Sequence, residues 1–276
     1  MIKGRILSVL IIAVSFSTPL LVAQEITEEN YLKIDKEIWD RYEQEMEKIS
    51  TCYREYPEKK DSLMAASEKV LADASKKNVE AAIRYASVPS GLQRLYMVRL
   101  DISKDTIRSV LRNLPQEMQT SPYGKSLFYH LDTEQVEEGS NYTDFKATDT
   151  AGNDFILSSL KGKNILLLYG GLGCMGKAGR DYLNKIYNET SRENFEIVVY
   201  CLNSNLESLQ KVREEYPCDY FLVSDFLQDH TPMKILYGAQ AMPTCFLIDK
   251  QGKVLLKETG VNQERIMGLL KEQEVY

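Results

Sequence analysis

The apolar residues in the first half of the chain recur with a helical period. Between residues 30 and 57, apolar positions follow one another every three or four residues, which is the spacing of an amphipathic helix. The apolar stripe consists of Ile34, Ile38, Trp39, Tyr42, Met46 and Ile49. We predict a long helix that ends before Pro57 and whose stripe faces a core.

Two further segments of the first half have helical patterns. The segment "DSLMAASEKVLADASKKNVEAAIRYA" predicts a second helix that begins near Asp61 and is followed by a turn at Pro89, Ser90 and Gly91. The segment "SKDTIRSVLRNLP" predicts a shorter helix whose first turn is capped by Ser103. None of these segments contains a grouping of residues that suggests catalysis.

From about residue 140 onwards, strand patterns alternate with helical ones. The runs "NILLLYGG" and "FEIVVYCLN" are almost continuously apolar, as in strands that are covered on both faces. Helical segments such as "AGRDYLNKIYNET" and "NLESLQKVREEYP" follow them, and glycine-containing hairpins stand at both ends of the region. The pattern predicts an α/β sandwich in residues 139–276, preceded by a mainly helical domain in residues 24–138.

The first 23 residues have the pattern of a secretory signal peptide. Lys3 and Arg5 precede an apolar run, and Ala23 supplies a small residue before the cleavage point. Leu21 is bulkier than the residue that such sites prefer, so an uncleaved anchor over residues 6–23 stays open as an alternative. We expect an exported, periplasmic protein that contacts a membrane only if this segment is retained.

Charge and cysteine content narrow the classes of function. The net charge is −6, from 34 basic and 40 acidic residues, without basic runs, which argues against nucleic acid as a partner. The only histidines are His130 and His230, and because the cysteines form no close pair, we expect no metal and no cofactor. An odd number of cysteines leaves at least one thiol unpaired in a monomer. The five cysteines are Cys52, Cys174, Cys201, Cys218 and Cys245.

Four parts of the chain carry a family resemblance. They are "GSNYTDFKATDTAGNDFILSSLKGKNILLLY", "YLNKIYNE", "AMPTCFLIDKQGKVL" and the helical first half. Residues 140–276 resemble the thioredoxin fold, and the whole chain resembles the TlpA-like thiol-disulfide oxidoreductases exported by Bacteroidetes-type bacteria. The resemblance implies a thioredoxin-like sandwich, a cis-proline at Pro243 and partner proteins that present thiols or disulfides. It also implies that Met242, Pro243 and Thr244 form the loop that contacts the substrate.

The chain departs from this family at the C-x-x-C motif. Counting back from "YLNKIY" places the two motif positions at Gly173 and Gly176, whereas counting forward from "NILLLY" places them at Cys174 and Lys177. A single sequence does not decide between the two alignments. Because the second thiol is missing in both, the motif is degenerate and cannot cycle between a dithiol and a disulfide by itself.

Cys174 is the candidate nucleophile that remains. Lys177, Arg180 and the positive end of the following helix would favour its thiolate form, and a lone thiolate can attack a disulfide and await an external thiol. The alternative is a redox-inactive binding module with a decayed site, because fold alone does not imply activity. Gly171, three residues before the cysteine, argues against a T-x-x-C peroxidase motif. The thioredoxin-like arrangement also leaves open a disulfide between Cys174 and Cys245, and the sequence does not indicate an oligomeric state.

Overall fold

The computed structural model describes residues 25–275, so the predicted signal peptide lies outside the described residues. The helices are α1 (Glu28–Glu55), α2 (Lys60–Arg84), α3 (Pro89–Met97), α4 (Lys104–Arg112), α5 (Gln116–Thr120), α6 (Pro122–Asp132), α7 (Gly176–Glu189), α8 (Leu206–Glu215), α9 (Pro232–Leu236) and α10 (Gln263–Glu272). The strands are β1 (Lys146–Asp149), β2 (Asp154–Ile156), β3 (Asn164–Tyr169), β4 (Phe195–Tyr200), β5 (Phe221–Ser224), β6 (Thr244–Ile248) and β7 (Val254–Thr259). Short 3-10 turns occupy Pro57–Lys59, Arg99–Asp101, Leu157–Leu160 and Gln228–His230.

Helices α1 and α2 form a long antiparallel hairpin. Thr27 caps α1 by accepting from the N–H of Asn30 at 3.1 Å, and α1 packs along α2 and, near its start, against α3. The prediction that its apolar stripe faces a core is confirmed in part: Ile34 and Ile38 pack, partly buried, against a small core of Tyr31, Ala81 and Tyr85. The stripe as a whole is half-buried, because α2 packs along α1 whereas α3 makes a smaller contact with it.

The segment after α2 also differs from the prediction. Pro89, Ser90 and Gly91 form the first turn of α3 rather than a separate turn, because proline is well suited to the first position of a helix. A Cβ at Gly91 would lie 1.9 Å from the carbonyl oxygen of Tyr85, so only glycine allows α3 to start this close to the end of α2. The predicted cap of α4 is confirmed, since the Ser103 hydroxyl accepts from the N–H of Thr106.

The second half of the chain forms one seven-stranded mixed sheet in the order β2-β1-β5-β4-β3-β6-β7. Strands β3, β4 and β5 are parallel, and β1, β2, β6 and β7 join by antiparallel pairing. Every residue of β3 and β4 is buried, because apolar clusters cover both faces of the sheet. Helices α7, α8 and α10 pack on one face. This mixed sheet flanked by helices, preceded by a helical region, confirms the predicted thioredoxin-like fold class.

The connection from α6 to β1 runs along the outer edge of β7. The N–H of Gly139 donates to the carbonyl oxygen of Val254 at 2.7 Å, and the N–H of Val254 donates to the carbonyl oxygen of Ser140 at 2.9 Å. The N–H of Lys257 donates to the Glu138 carboxylate at 2.9 Å. The edge of β7 is therefore covered, and the predicted boundary at residue 138 falls within the covering segment.

Candidate functional site

A glycine-rich turn joins β3 to α7 and lies against the loop that precedes β6. Gly170 and Gly171 have φ angles of +61° and +96°, a region that L side chains rarely adopt. A Cβ at Gly170 would lie 2.8 Å from the Sδ of Met242, and one at Gly171 would lie 2.5 Å from the Cβ of Pro243. The peptide bond between Met242 and Pro243 is cis. The two glycines therefore allow direct packing between the turn and the Met242–Pro243 loop.

Cys174 lies in this turn, just before α7 begins at Gly176. Its thiol is exposed, and the N–H of the next residue, Met175, donates to the carbonyl oxygen of Gly171 at 2.9 Å. This hydrogen bond closes the turn that carries the cysteine. The thiol therefore stands at the N-terminal end of a helix, where the helix dipole favours a negative charge.

The structure brings Arg180, but not Lys177, into contact with the turn. The Nη1 of Arg180 donates to the carbonyl oxygen of Leu172 at 2.8 Å. The ammonium of Lys177 instead lies 2.5 Å from the Asp181 carboxylate, and its side chain is 83% exposed. Arg180 thus supports the backbone that carries Cys174, whereas Lys177 forms a solvent-exposed ion pair along α7.

Tyr216 is a member of the site that the sequence analysis missed. Its ring lies under the guanidinium of Arg180, 4.7 Å from ring centroid to Cζ, and a Cβ at Gly173 would lie 3.3 Å from its hydroxyl oxygen. A side-chain hydrogen bond with Glu215 is the main cause of the raised pKa of the Tyr216 phenol, followed by desolvation and by the charge of the Glu215 carboxylate. Tyr216 therefore lies beside the turn that carries Cys174, although no local sequence pattern links the two residues.

The three residues of the predicted substrate loop differ in accessibility. Met242 is 47% exposed, and within residues 25–275 neither its N–H nor its C=O has a hydrogen-bond partner. Pro243 is buried and its carbonyl oxygen accepts from the N–H of Gly260 at 2.8 Å. Thr244 is also buried, and its hydroxyl donates to the carbonyl oxygen of Ala241 at 2.7 Å. Of the three, Met242 offers free backbone groups and an exposed side chain.

The other cysteines are free thiols in less accessible places. Cys201 and Cys245 are buried, and burial raises the pKa of each thiol to about 12. Cys245 pairs with Leu168 inside the sheet, while Cys174 is on the surface, so the alternative disulfide between these two cysteines is not formed. Cys52 and Cys218 are half-buried.

No group of three or more histidine, cysteine, aspartate or glutamate side chains between residues 25 and 275 is placed to hold a metal ion. Over the same residues, no helix has both the length and the apolar content required to span a bilayer. His130 is buried and its Nδ1 lies 2.8 Å from the amide nitrogen of Gln135.

A mixed sheet whose central strand leads through an exposed cysteine into a helix, beside a cis-proline loop, defines a thioredoxin-like protein. A family model described as Redoxin matches residues 137–272. Thiol-disulfide oxidoreductase ResA of Bacillus subtilis is 30% identical over 148 residues, which are 51% of this chain and 80% of that protein. The protein of the same name from Geobacillus kaustophilus is 29% identical over 156 residues, 55% of this chain and 88% of that one. The chain therefore belongs to the thioredoxin-like redoxin family.

Solved structures are similar to the same half of the chain. The thioredoxin domain of a thiol-disulfide oxidoreductase from Bacteroides vulgatus is 24% identical and has a TM-score of 0.45, with 51% of this chain and 100% of that domain covered. A thiol:disulfide interchange protein from Bacteroides sp. is 24% identical with a TM-score of 0.45, covering 50% of this chain and 91% of that protein. Both similarities concern about half of this chain.

Proposed function

We propose that this protein handles the thiols and disulfides of partner proteins and acts at most as a monothiol through Cys174. The observation that carries the proposal is the exposed thiol of Cys174 in a turn packed against the loop of Met242 and Pro243. The free N–H and C=O of Met242 can pair with an extended polypeptide, as a strand pairs with the edge of a sheet. Such pairing would bring a partner's disulfide to the thiol.

The chemistry needs one thiolate from the protein and one from outside. The thiolate of Cys174 attacks one sulfur of the partner's disulfide, the S–S bond breaks, and the other sulfur leaves as a thiolate. An external thiolate then attacks the partner's sulfur in the mixed disulfide and displaces Cys174 as a thiolate. The external thiol is required because neither alignment of the motif supplies a second cysteine and because Cys201 and Cys245 are buried.

A binding module without redox activity is the second candidate. It is favoured by the alignment in which Gly173 and Gly176 occupy both motif positions, so that Cys174 is a chance neighbour of a decayed motif. It is favoured also by the ion pair between Lys177 and Asp181, which directs that charge along the helix. In this case, the loop of Met242 and Pro243 would still bind a polypeptide.

We further propose that the protein is exported to the periplasm, on the pattern of residues 1–23. The full chain, expressed in a bacterium with two membranes, should be recovered from the periplasmic fraction. Its mass should correspond to a chain that begins at Gln24. Recovery in the membrane fraction at full mass would support the uncleaved anchor instead.

The reactivity of Cys174 separates the two candidate functions. We would measure the rate at which the purified protein reacts with 5,5′-dithiobis(2-nitrobenzoate) at pH 7, with Cys52→Ser and Cys218→Ser in place so that the half-buried thiols do not contribute. An activated thiolate should react about tenfold faster than glutathione. The control is the same protein with Cys174→Ser, which should not react. A rate no faster than that of glutathione would contradict the monothiol mechanism and leave the binding module.

A further inference from the structure

The segment that leads into the Met242–Pro243 loop is held by side chains from the helical half of the chain. The hydroxyl of Tyr96 donates to the carbonyl oxygen of Asp229 at 2.7 Å. The Nη2 of Arg99 donates to two further carbonyl oxygens, of Lys234 at 3.1 Å and of Ala239 at 3.2 Å. Three backbone positions between residues 229 and 239 are therefore fixed from outside the sheet, the last of them three residues before Met242.

Arg99 is buried in an unusual way for an arginine. It is 0% exposed, and its hydrogen bonds within residues 25–275 all go to carbonyl oxygens, including that of Tyr96 at 3.1 Å. The guanidinium lies 4.7 Å from the centroid of the Tyr96 ring, and burial lowers its pKa. Burying a cation without a direct ion pair is costly, even with the Asp229 carboxylate close enough to favour its charged form. Stability alone is therefore a poor reason for an arginine at this position.

A second buried cation holds the same segment. Lys234 is 3% exposed, its ammonium is bonded to the Asp229 carboxylate, and it lies 4.9 Å from the centroid of the Tyr96 ring. This ion pair ties the start of the segment to α9, while Arg99 ties α9 to Ala239. The segment thus has little freedom to shift along its own length.

The loop is therefore confined from two directions. The glycine-rich turn contacts Met242 and Pro243 on one side, and Arg99 fixes the approach to the loop on the other. Leu100, the residue after Arg99, lines a cleft beside Ala241. The 3-10 turn of Arg99 consequently both holds the loop and forms a wall next to it.

We propose that Arg99 is a positioning residue for the Met242–Pro243 loop, so that the helical half of the chain sets the geometry with which the thioredoxin-like half binds an extended polypeptide. The inference rests on the proposed function only in that this loop binds polypeptide. It does not require Cys174 to react. Without Arg99, the carbonyl oxygen of Ala239 loses its donor and that of Lys234 keeps only the N–H of Ala239. The backbone of Met242 is then no longer held in place for pairing.

The test compares two arginines of the helical half. Arg99→Met removes the donors to the segment, whereas Arg94→Met removes an ion pair with Asp35, 3.2 Å long, that lies within the helical half. The probe is fluorescein-labelled, carboxymethylated insulin B chain, an unfolded polypeptide without free thiols, followed by fluorescence anisotropy. We expect the dissociation constant to rise about tenfold, or about 1.4 kcal/mol, in Arg99→Met. It should change less than twofold in Arg94→Met.

A second readout does not depend on the ligand. The ¹³C-methyl resonance of Met242 should shift in Arg99→Met and stay in place in Arg94→Met, because of the two arginines it is Arg99 that bonds to the segment before the loop. If Arg99→Met does not fold by circular dichroism, Arg99→Lys serves in its place, since one ammonium cannot hold all three carbonyl groups in the same geometry. We expect that Arg99→Lys restores neither the position of the Met242 resonance nor the affinity for the polypeptide.

The outcomes separate this inference from the proposed function. Equal affinities and an unmoved Met242 resonance in the Arg99 variants would overturn the positioning role, as would failure of the unsubstituted protein to bind the polypeptide. An unreactive Cys174 together with lost binding in Arg99→Met would contradict the monothiol function and support the role of Arg99.

Discussion

Gly171 lies in direct contact with Pro243, so that a Cβ on the glycine would stand 2.5 Å from the Cβ of the proline. Its φ angle of +96° also lies in a region that residues other than glycine rarely adopt. Gly171, like Gly170 beside Met242, is therefore required by the packing of the turn against the loop. A glycine-rich turn here is consistent with a retained loop contact, whether or not the thiol reacts.

Replacing Gly171 by alanine should destabilise the protein strongly. The new methyl group would overlap the ring of Pro243 and force a strained backbone, at a cost of about 2 to 5 kcal/mol in the free energy of unfolding. The control is Gly176→Ala, where φ is +66° but no atom lies within 4 Å of the new methyl group. We expect a loss of only about 1 kcal/mol there. Urea unfolding measures both, and equal losses would show that contact with Pro243 is unimportant.

Alkylation of the native protein should distinguish Cys174 from the buried thiols. Iodoacetamide at pH 8 should label exposed Cys174 first and leave Cys201 and Cys245 unlabelled, because burial blocks access and raises the pKa of both to about 12. Peptide mass spectrometry after timed quenching gives the labelling at each site. In urea, all cysteines should react. Labelling of native Cys245 as fast as Cys174 would contradict the structure.

Arg180 and Lys177 should have unequal effects when replaced by methionine. Arg180→Met removes the hydrogen bond to Leu172 and the stacking on Tyr216, which should lower the free energy of unfolding by about 1 to 2 kcal/mol. Lys177→Met removes an exposed ion pair with Asp181 and should cost less than about 0.5 kcal/mol. Urea unfolding checks both values. A larger loss in the free energy of unfolding of Lys177→Met would mean that the Lys177 ammonium contributes more than its exposed ion pair with Asp181.

Stability should fall in mild acid because of His130. Burial, followed by the charges of Arg99 and Lys104, lowers its pKa from 6.5 to about 4 in the folded protein. The unfolded chain therefore binds the proton more readily between these values, so stability is complete above pH 6.5 and is lost as the pH falls towards 4. The contribution is on the order of 2 to 3 kcal/mol.

The matched variant is His130→Asn, whose amide can still bond to Gln135. Urea unfolding measured from pH 7.5 to pH 4 should show a shallower loss of stability in this variant than in the unsubstituted protein. Carboxylates titrate in both proteins, so the difference between the two curves reports on His130. Identical curves would contradict the lowered pKa.

Local patterns predicted the fold well because they are determined by neighbouring residues. The continuous apolar runs of β3 and β4 and the cap at Ser103 all depend on nearby positions and were confirmed. The half-burial of Ile34 was not predicted, because an apolar stripe indicates which face is covered but not how many helices cover it.

The parts of the site that the sequence did not predict depend on contacts between segments that are distant along the chain. Tyr216 reaches the turn of Cys174 only because α8 ends beside it, and an aromatic residue after a helix is ordinary in sequence. Arg99 would be taken for a surface residue, since arginine is seldom buried, and its partner Ala239 is far along the chain. The sequence therefore predicted where Cys174 lies but not what holds its surroundings.

The segment of residues 138–140, which runs along β7, also prevents other chains from pairing with this edge of the sheet. An open edge strand offers unpaired backbone groups to other chains and so invites aggregation. Here, the groups of Val254 and Lys257 are already bonded to residues 138–140, and the opposite edge strand, β2, is only 3 residues long. An extended chain that binds at Met242, as we propose, would therefore find no long open sheet edge on which to assemble further strands.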